Sequence, residues 1–161
     1  MRPHVAIALA VAVLLVALSA GAARADDPVQ EGFSVGLGGG SVVDLSASEQ
    51  EQAFMINAHL GYRFAFGLEP TLLLMHKTDD WDAAIGARYG ISLWGFRPYV
   101  EAGLAPGSED HPLFPEVGAG VERRLIGALH ASAYVGYLAA LGKPDDREDL
   151  LFGGLGVSFV Q

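Results

Sequence analysis

The sequence predicts an all-β fold: an eight-stranded antiparallel up-and-down transmembrane β-barrel behind a cleaved signal peptide. Three observations predict it. Apolar residues recur at every second position in one segment after another. The connections between these segments alternate in length. The face opposite the apolar one is rich in glycine and isolated charges, not evenly polar.

Residues 1–25 are read as the signal peptide and 26–161 as the barrel. Arg2 supplies a positive start, Val5 to Leu18 is an unbroken apolar run, and Ala23-Arg24-Ala25 provides small residues for cleavage. The run is short of the roughly 20 residues a spanning helix needs. Removing it takes two arginines and no acidic residue, which leaves 19 acidic and 8 basic side chains. Nucleic acid is a poor partner for so acidic a chain. The absence of cysteine excludes disulfides, thiolate metal sites, a catalytic thiol and a lipid-bearing cysteine.

Eight segments carry the period of two. Phe33, Val35 and Leu37 oppose Ser34, Gly36, Gly38 and Gly40. Phe54, Ile56, Ala58, Leu60 and Tyr62 oppose Asn57, His59, Gly61 and Arg63. Pro70, Leu72 and Leu74 oppose Glu69, Thr71 and Leu73, a weaker alternation. Trp81, Ala83, Ile85, Ala87, Tyr89 and Ile91 oppose Asp82, Ala84, Gly86, Arg88 and Gly90, the clearest one. Phe96, Pro98, Val100, Ala102 and Leu104 oppose Arg97, Tyr99, Glu101 and Gly103. Val117, Ala119 and Val121 oppose Glu116, Gly118, Gly120 and Glu122. Leu129, Ala131, Ala133, Val135 and Tyr137 oppose His130, Ser132, Tyr134 and Gly136. Leu151, Leu155, Val157 and Phe159 oppose Gly154, Gly156 and Ser158. A strand sends alternate side chains to opposite faces, so each segment has one apolar face and one small or charged face.

Ala65 to Gly67, Ser92 to Gly95 and Ile126-Gly127 read as tight turns. Ser41 to Gln52, His76 to Asp80, Ala105 to Pro115 and Gly142 to Asp149 read as longer acidic loops. With short turns in the periplasm, the longer loops all face outward. A soluble barrel would turn its apolar faces inward and solvate the other face. Glycine alternating with a few large polar groups instead suits the narrow interior of an eight-stranded membrane barrel. Phe54 and Trp81 fall near the outer strand ends; Tyr62, Phe64, Phe66, Tyr89, Trp94 and Phe96 fall near the turns. Two aromatic belts are expected at the two membrane interfaces.

The runs Arg97-Pro98-Tyr99-Val100-Glu101-Ala102-Gly103-Leu104, Glu116-Val117-Gly118-Ala119-Gly120-Val121-Glu122 and Leu155-Gly156-Val157-Ser158-Phe159 carry a resemblance. Over the whole mature length the chain resembles the small OmpA/OmpX-like outer-membrane β-barrel family. The resemblance implies insertion in a bacterial outer membrane after periplasmic chaperones and the barrel-assembly machinery have handled the chain. Family members commonly end on an aromatic residue; here Phe159 precedes the final Gln161 by two positions.

Two groups of residues are candidates for function. Arg63, Glu69, Arg88, Arg97, Glu101, Glu116, Glu122, Arg124 and His130 are expected to face inward and form an Arg/Glu network that plugs the lumen, because an unpaired charge confined there is costly. Asp79, Asp80, Glu109, Asp110, Asp145, Asp146, Glu148 and Asp149 are expected in the acidic outer loops. They lack the order of a calcium-binding loop, so no metal is expected. No cofactor is expected.

The expected role is non-enzymatic: a monomeric envelope protein in contact with outer-membrane lipid and lipopolysaccharide, structural or surface-binding. A narrow channel for ions or small solutes is the alternative, and a lipid A-modifying enzyme a lesser one. The enzyme reading needs a nucleophile with a base in reach. Ser132 stands two residues from His130, and His59 shares the inner face, but no nucleophile elbow or zinc-binding helix motif accompanies them.

Overall fold

The computed structural model describes residues 29–45, 52–77, 80–106, 113–139 and 149–161. Residues 1–25, read as a signal peptide, and Asp79, Glu109, Asp110, Asp145, Asp146 and Glu148, expected in the outer loops, lie outside them. Every regular element described is a strand: β1 (Gly32–Asp44), β2 (Gln52–Arg63), β3 (Leu68–Lys77), β4 (Asp80–Gly90), β5 (Phe96–Pro106), β6 (Leu113–Ile126), β7 (Leu129–Ala139) and β8 (Asp149–Val160). Each pairs antiparallel with its neighbour in sequence, and β8 returns to β1, closing the barrel. Backbone bonds between Phe33 and Gln161 finish that seam, at 2.8 Å from Phe33 N to Gln161 O and 2.9 Å in the other direction. Closure leaves no free strand edge, which a lipid environment requires.

The tight turns follow from local chemistry. Leu93 and Phe96 exchange backbone hydrogen bonds across Trp94 and Gly95, whose φ values of 54° and 79° are both positive. That is a two-residue hairpin whose twist matches the flanking strands. Gly95 takes its conformation at no steric cost, whereas Trp94 is strained by it. The β6–β7 turn contains a register shift between Arg124 and Ile126.

At the opposite end the strands run further than the sequence pattern suggests. β1 continues to Asp44, and β3 continues to Lys77, which pairs with Asp80. Only two residues therefore separate β3 from β4 in sequence, where a longer loop is expected. Asp80 and Asp149 open β4 and β8 instead of lying in loops, because each is paired across the ladder, to Lys77 and Ala139.

Side-chain direction follows the parity read from the sequence. Phe33, Val35, Leu37, Ile56, Leu60, Leu72, Ile85, Val100, Val117, Leu155 and Val157 all point outward and are exposed, Ile85 by 73% and Leu155 by 70%. Soluble monomers rarely expose a contiguous apolar patch beyond a few hundred Å². Here the band encircles the barrel on strands of 10 to 14 residues, and about 9–11 tilted residues cross a bilayer core. An aromatic chain marks the turn end: Phe33, Tyr62 and Phe64 meet edge-on at 5.0 Å each, and Phe64 stacks on Phe66 at 5.4 Å.

Candidate functional site

The lumen is built by a pairing rule between facing positions of adjacent strands. Six large inward side chains lie across a glycine on a neighbouring strand. Tyr99 pairs with Gly120, Glu101 with Gly118, His59 with Gly36, Asn57 with Gly38, Phe152 with Gly136 and Tyr134 with Gly154. The fit is close: a Cβ on Gly120 would stand 2.5 Å from the Tyr99 ring, and one on Gly118 2.8 Å from Glu101 Oε1. The inward glycines are thus the room that the large residues occupy.

At the turn end these side chains form one ionic knot. Arg63 Nε donates to Glu69 Oε2 at 3.0 Å, and its Nη2 donates to both oxygens of Glu122, at 3.0 and 2.8 Å. Arg97 Nη1 lies 3.1 Å from both Glu69 Oε2 and Glu122 Oε2. Its Nη2 donates to the Gly67 carbonyl at 3.0 Å, tying the first turn to the knot. Ser34 and Ser158 donate to Glu69 and Glu122 at 2.5 and 2.9 Å. His130 Nδ1 stands 3.4 Å from Glu122 Oε1, and its Nε2 3.2 Å from Gln30 Oε1. Glu69 and Arg63 are 0% and 1% exposed, so these ions have exchanged water for one another. A second pair stands deeper in the lumen. Arg88 Nη2 lies 2.9 Å from Glu101 Oε2, with its guanidinium 4.5 Å from the centre of the Tyr99 ring.

Of the nine residues expected in this network, seven are brought together in these two groups. Glu116 is buried at 3% exposure but makes no ion pair among the described residues. Arg124 is a correction. It is exposed at the mouth and donates from Nε to the Gly127 carbonyl at 2.7 Å. The register shift beside it ends the regular inward alternation.

Sequence reasoning missed a second layer. Toward the loop end the lumen holds a cluster of Val42, Met55, Met75, Leu138 and Phe152, all buried, with Leu73, Tyr134 and Leu150 packed against them. Asn57 donates to the Tyr134 hydroxyl beneath this layer. The signal was present: the inward parity of β1, through Gly38 and Gly40, continues to Val42. Cavities of about 20 and 10 Å³ lie around His59, Arg88 and Glu101, and one of about 40 Å³ lies at the turn-end mouth. Gln30 lies over that mouth, its Nε2 donating to the Val160 carbonyl at 2.8 Å. Among the described residues no three His, Asp or Glu side chains are placed to hold a metal ion. No hydrogen bond joins Ser132 to His130.

No family model matches the chain, and no curated protein matches it. Solved structures do. Neisserial surface protein A is similar with a TM-score of 0.67 at 16% identity, over 80% of this chain and 97% of that one. A de novo designed transmembrane β-barrel gives 0.60 at 13% identity, over 83% and 98%. The N-terminal β-barrel domain of Pseudomonas aeruginosa OprF gives 0.57 at 22% identity, over 81% and 98%. With the outward apolar band and the polar, glycine-packed interior, these likenesses make the chain an eight-stranded transmembrane β-barrel with the architecture of small outer-membrane proteins.

Proposed function

We propose that this chain is a non-enzymatic, non-conducting protein of the bacterial outer membrane, with a structural or surface-binding role and a lumen sealed from both ends. It would act as a monomer whose partners are outer-membrane lipid and lipopolysaccharide, reached by way of periplasmic chaperones and the barrel-assembly machinery. The observation that carries the reading is the double filling of the lumen. The knot of Arg63, Glu69, Arg97 and Glu122 blocks one half, and the Met55, Met75, Leu138 and Phe152 layer blocks the other. An ion crossing it would have to part buried ion pairs and then dehydrate against an apolar constriction. The cavities around His59, Arg88 and Glu101 hold no more than a water molecule or two.

Planar-bilayer recording tests this. Wild type and Glu101→Ala should both give silent membranes, because each keeps the knot and the apolar layer. Discrete, reproducible conductance steps in wild type would favour the channel alternative. The enzymatic alternative is tested separately: lipid A mass spectra from cells with and without the protein should be identical.

A further inference from the structure

Among the described buried side chains of the lumen, with His130 neutral, the charges do not balance. Away from the rims, the described inward residues include three guanidiniums, Arg63, Arg88 and Arg97, against four carboxylates, Glu69, Glu101, Glu116 and Glu122. Three of the carboxylates account for every guanidinium: Glu69 and Glu122 hold Arg63 and Arg97, and Glu101 holds Arg88. Glu116 is left over. It is 3% exposed, and its Oε1 has no hydrogen-bond partner among the described residues. One other buried atom nearby is in the same position, His59 Nε2. Both residues line one cavity of about 10 Å³, with Arg88 and Glu101.

An orphaned acceptor and an orphaned imidazole nitrogen around a water-sized space point to one occupant. A buried water needs about 10–15 Å³ and two to four polar partners. A single unpaired carboxylate held away from water is costly, and one proton removes the imbalance. We propose that His59 and Glu116 form a proton-sharing pair bridged by one bound water in this cavity.

Both arrangements of the pair balance. With the proton on the imidazole, His59 Nε2–H donates to the water and the water donates to Glu116 Oε1. With the proton on the carboxyl, Glu116 Oε1–H donates to the water and the water donates to His59 Nε2. In each the lumen is neutral and both orphaned atoms are satisfied. The proton belongs to the pair, as in any strongly coupled pair of sites. Its charged surroundings are Arg88 on β4 and Glu101 on β5, which neutralise each other, and Arg63 on β2, Glu69 on β3 and Glu122 on β6, which neutralise one another within the knot together with Arg97 on β5. The inward residues of β1, β7 and β8 at this depth are uncharged: Gly36 and Gly38, Ser132, Tyr134 and Gly136, Gly154 and Gly156.

The test is nuclear magnetic resonance on the full mature chain, refolded in detergent micelles at neutral pH, with ¹⁵N-histidine and ¹³C-glutamate labels. The proposal expects one of two paired readings: imidazolium at His59 with carboxylate at Glu116, or neutral imidazole with carboxylic acid. Neutral imidazole with ionised carboxylate in the same sample overturns it. Glu116→Gln balances the lumen at three against three and should leave His59 neutral. Imidazolium persisting in that variant also overturns the proposal. If Glu116→Gln does not fold, the wild-type readings decide alone. None of these outcomes depends on whether the barrel conducts.

Discussion

Replacing Glu122 by alanine is the most informative single perturbation of the knot. Glu122 accepts from Arg63 at 3.0 and 2.8 Å, from Arg97 at 3.1 Å and from Ser158 at 2.9 Å. Removing one partner of a buried ion pair costs about 3–5 kcal/mol, mostly because the other charge stays behind. Here the remainder is partly rescued, since Glu69 keeps both guanidiniums, Arg63 at 3.0 Å and Arg97 at 3.1 Å. The expected loss is therefore at the lower end, about 3 kcal/mol, or roughly a hundredfold in the unfolding equilibrium constant. Glu69→Ala should behave the same way for the same reason. The double variant leaves two buried guanidiniums with no carboxylate, so its loss should exceed the sum of the single ones. Contacting residues usually depart from additivity by about 0.5–3 kcal/mol. Urea unfolding in lipid vesicles, followed by tryptophan fluorescence, measures all three. A Glu122→Ala loss below about 1 kcal/mol, the range of exposed pairs, or strict additivity in the double variant, would refute the assignment of these residues to one shared network.

Three further outcomes are expected. Gly120→Ala puts a Cβ 2.5 Å from the Tyr99 ring and 2.7 Å from the Ala133 carbonyl oxygen, and overpacking should cost about 1–3 kcal/mol; in a Tyr99→Ala background the same change should cost less, because only the carbonyl contact remains. Ile85→Arg places a charge on the lipid face and should lower stability in vesicles by about 2–4 kcal/mol if Ile85 lies near the bilayer midplane, whereas Arg124→Ala at the exposed mouth should stay within about 0.5 kcal/mol of wild type. Phe152→Ala should destabilise by about 3–5 kcal/mol through the void it opens, yet still give silent bilayers, because the ionic knot below it is intact.

Much of the fold was legible because one physical rule governs it. A strand in a membrane barrel must alternate, so the eight segments and the facing of Phe33, Ile85 or Val157 could be read from parity alone. What parity does not carry is depth. Val42, Met55, Met75, Leu138 and Phe152 occupy inward positions and are apolar, so they broke the expectation of a polar interior while obeying its periodicity. Strand ends were misjudged where acidic residues looked like loop: Asp80 and Asp149 are paired across the ladder. Arg124 shares the parity of Glu122, but the register shift next to it is invisible in residue types. The partners within the knot were beyond reach for another reason. Ser34, Glu69 and Glu122 come from β1, β3 and β6, and only closure of the barrel brings them together.

The central claim is that the apolar face looks to lipid and the glycine-and-charge face looks inward. The chain has no cysteine, so single cysteines can be placed along β4 from Ala83 to Tyr89 and nitroxide-labelled in vesicles. Collision with dissolved oxygen, which concentrates in the bilayer core, should rise and fall with a period of two. It should be high at Ala83, Ile85, Ala87 and Tyr89 and low at Ala84, Gly86 and Arg88. A flat profile, or maxima on the Gly86 face, would mean that the barrel is not oriented in lipid as described.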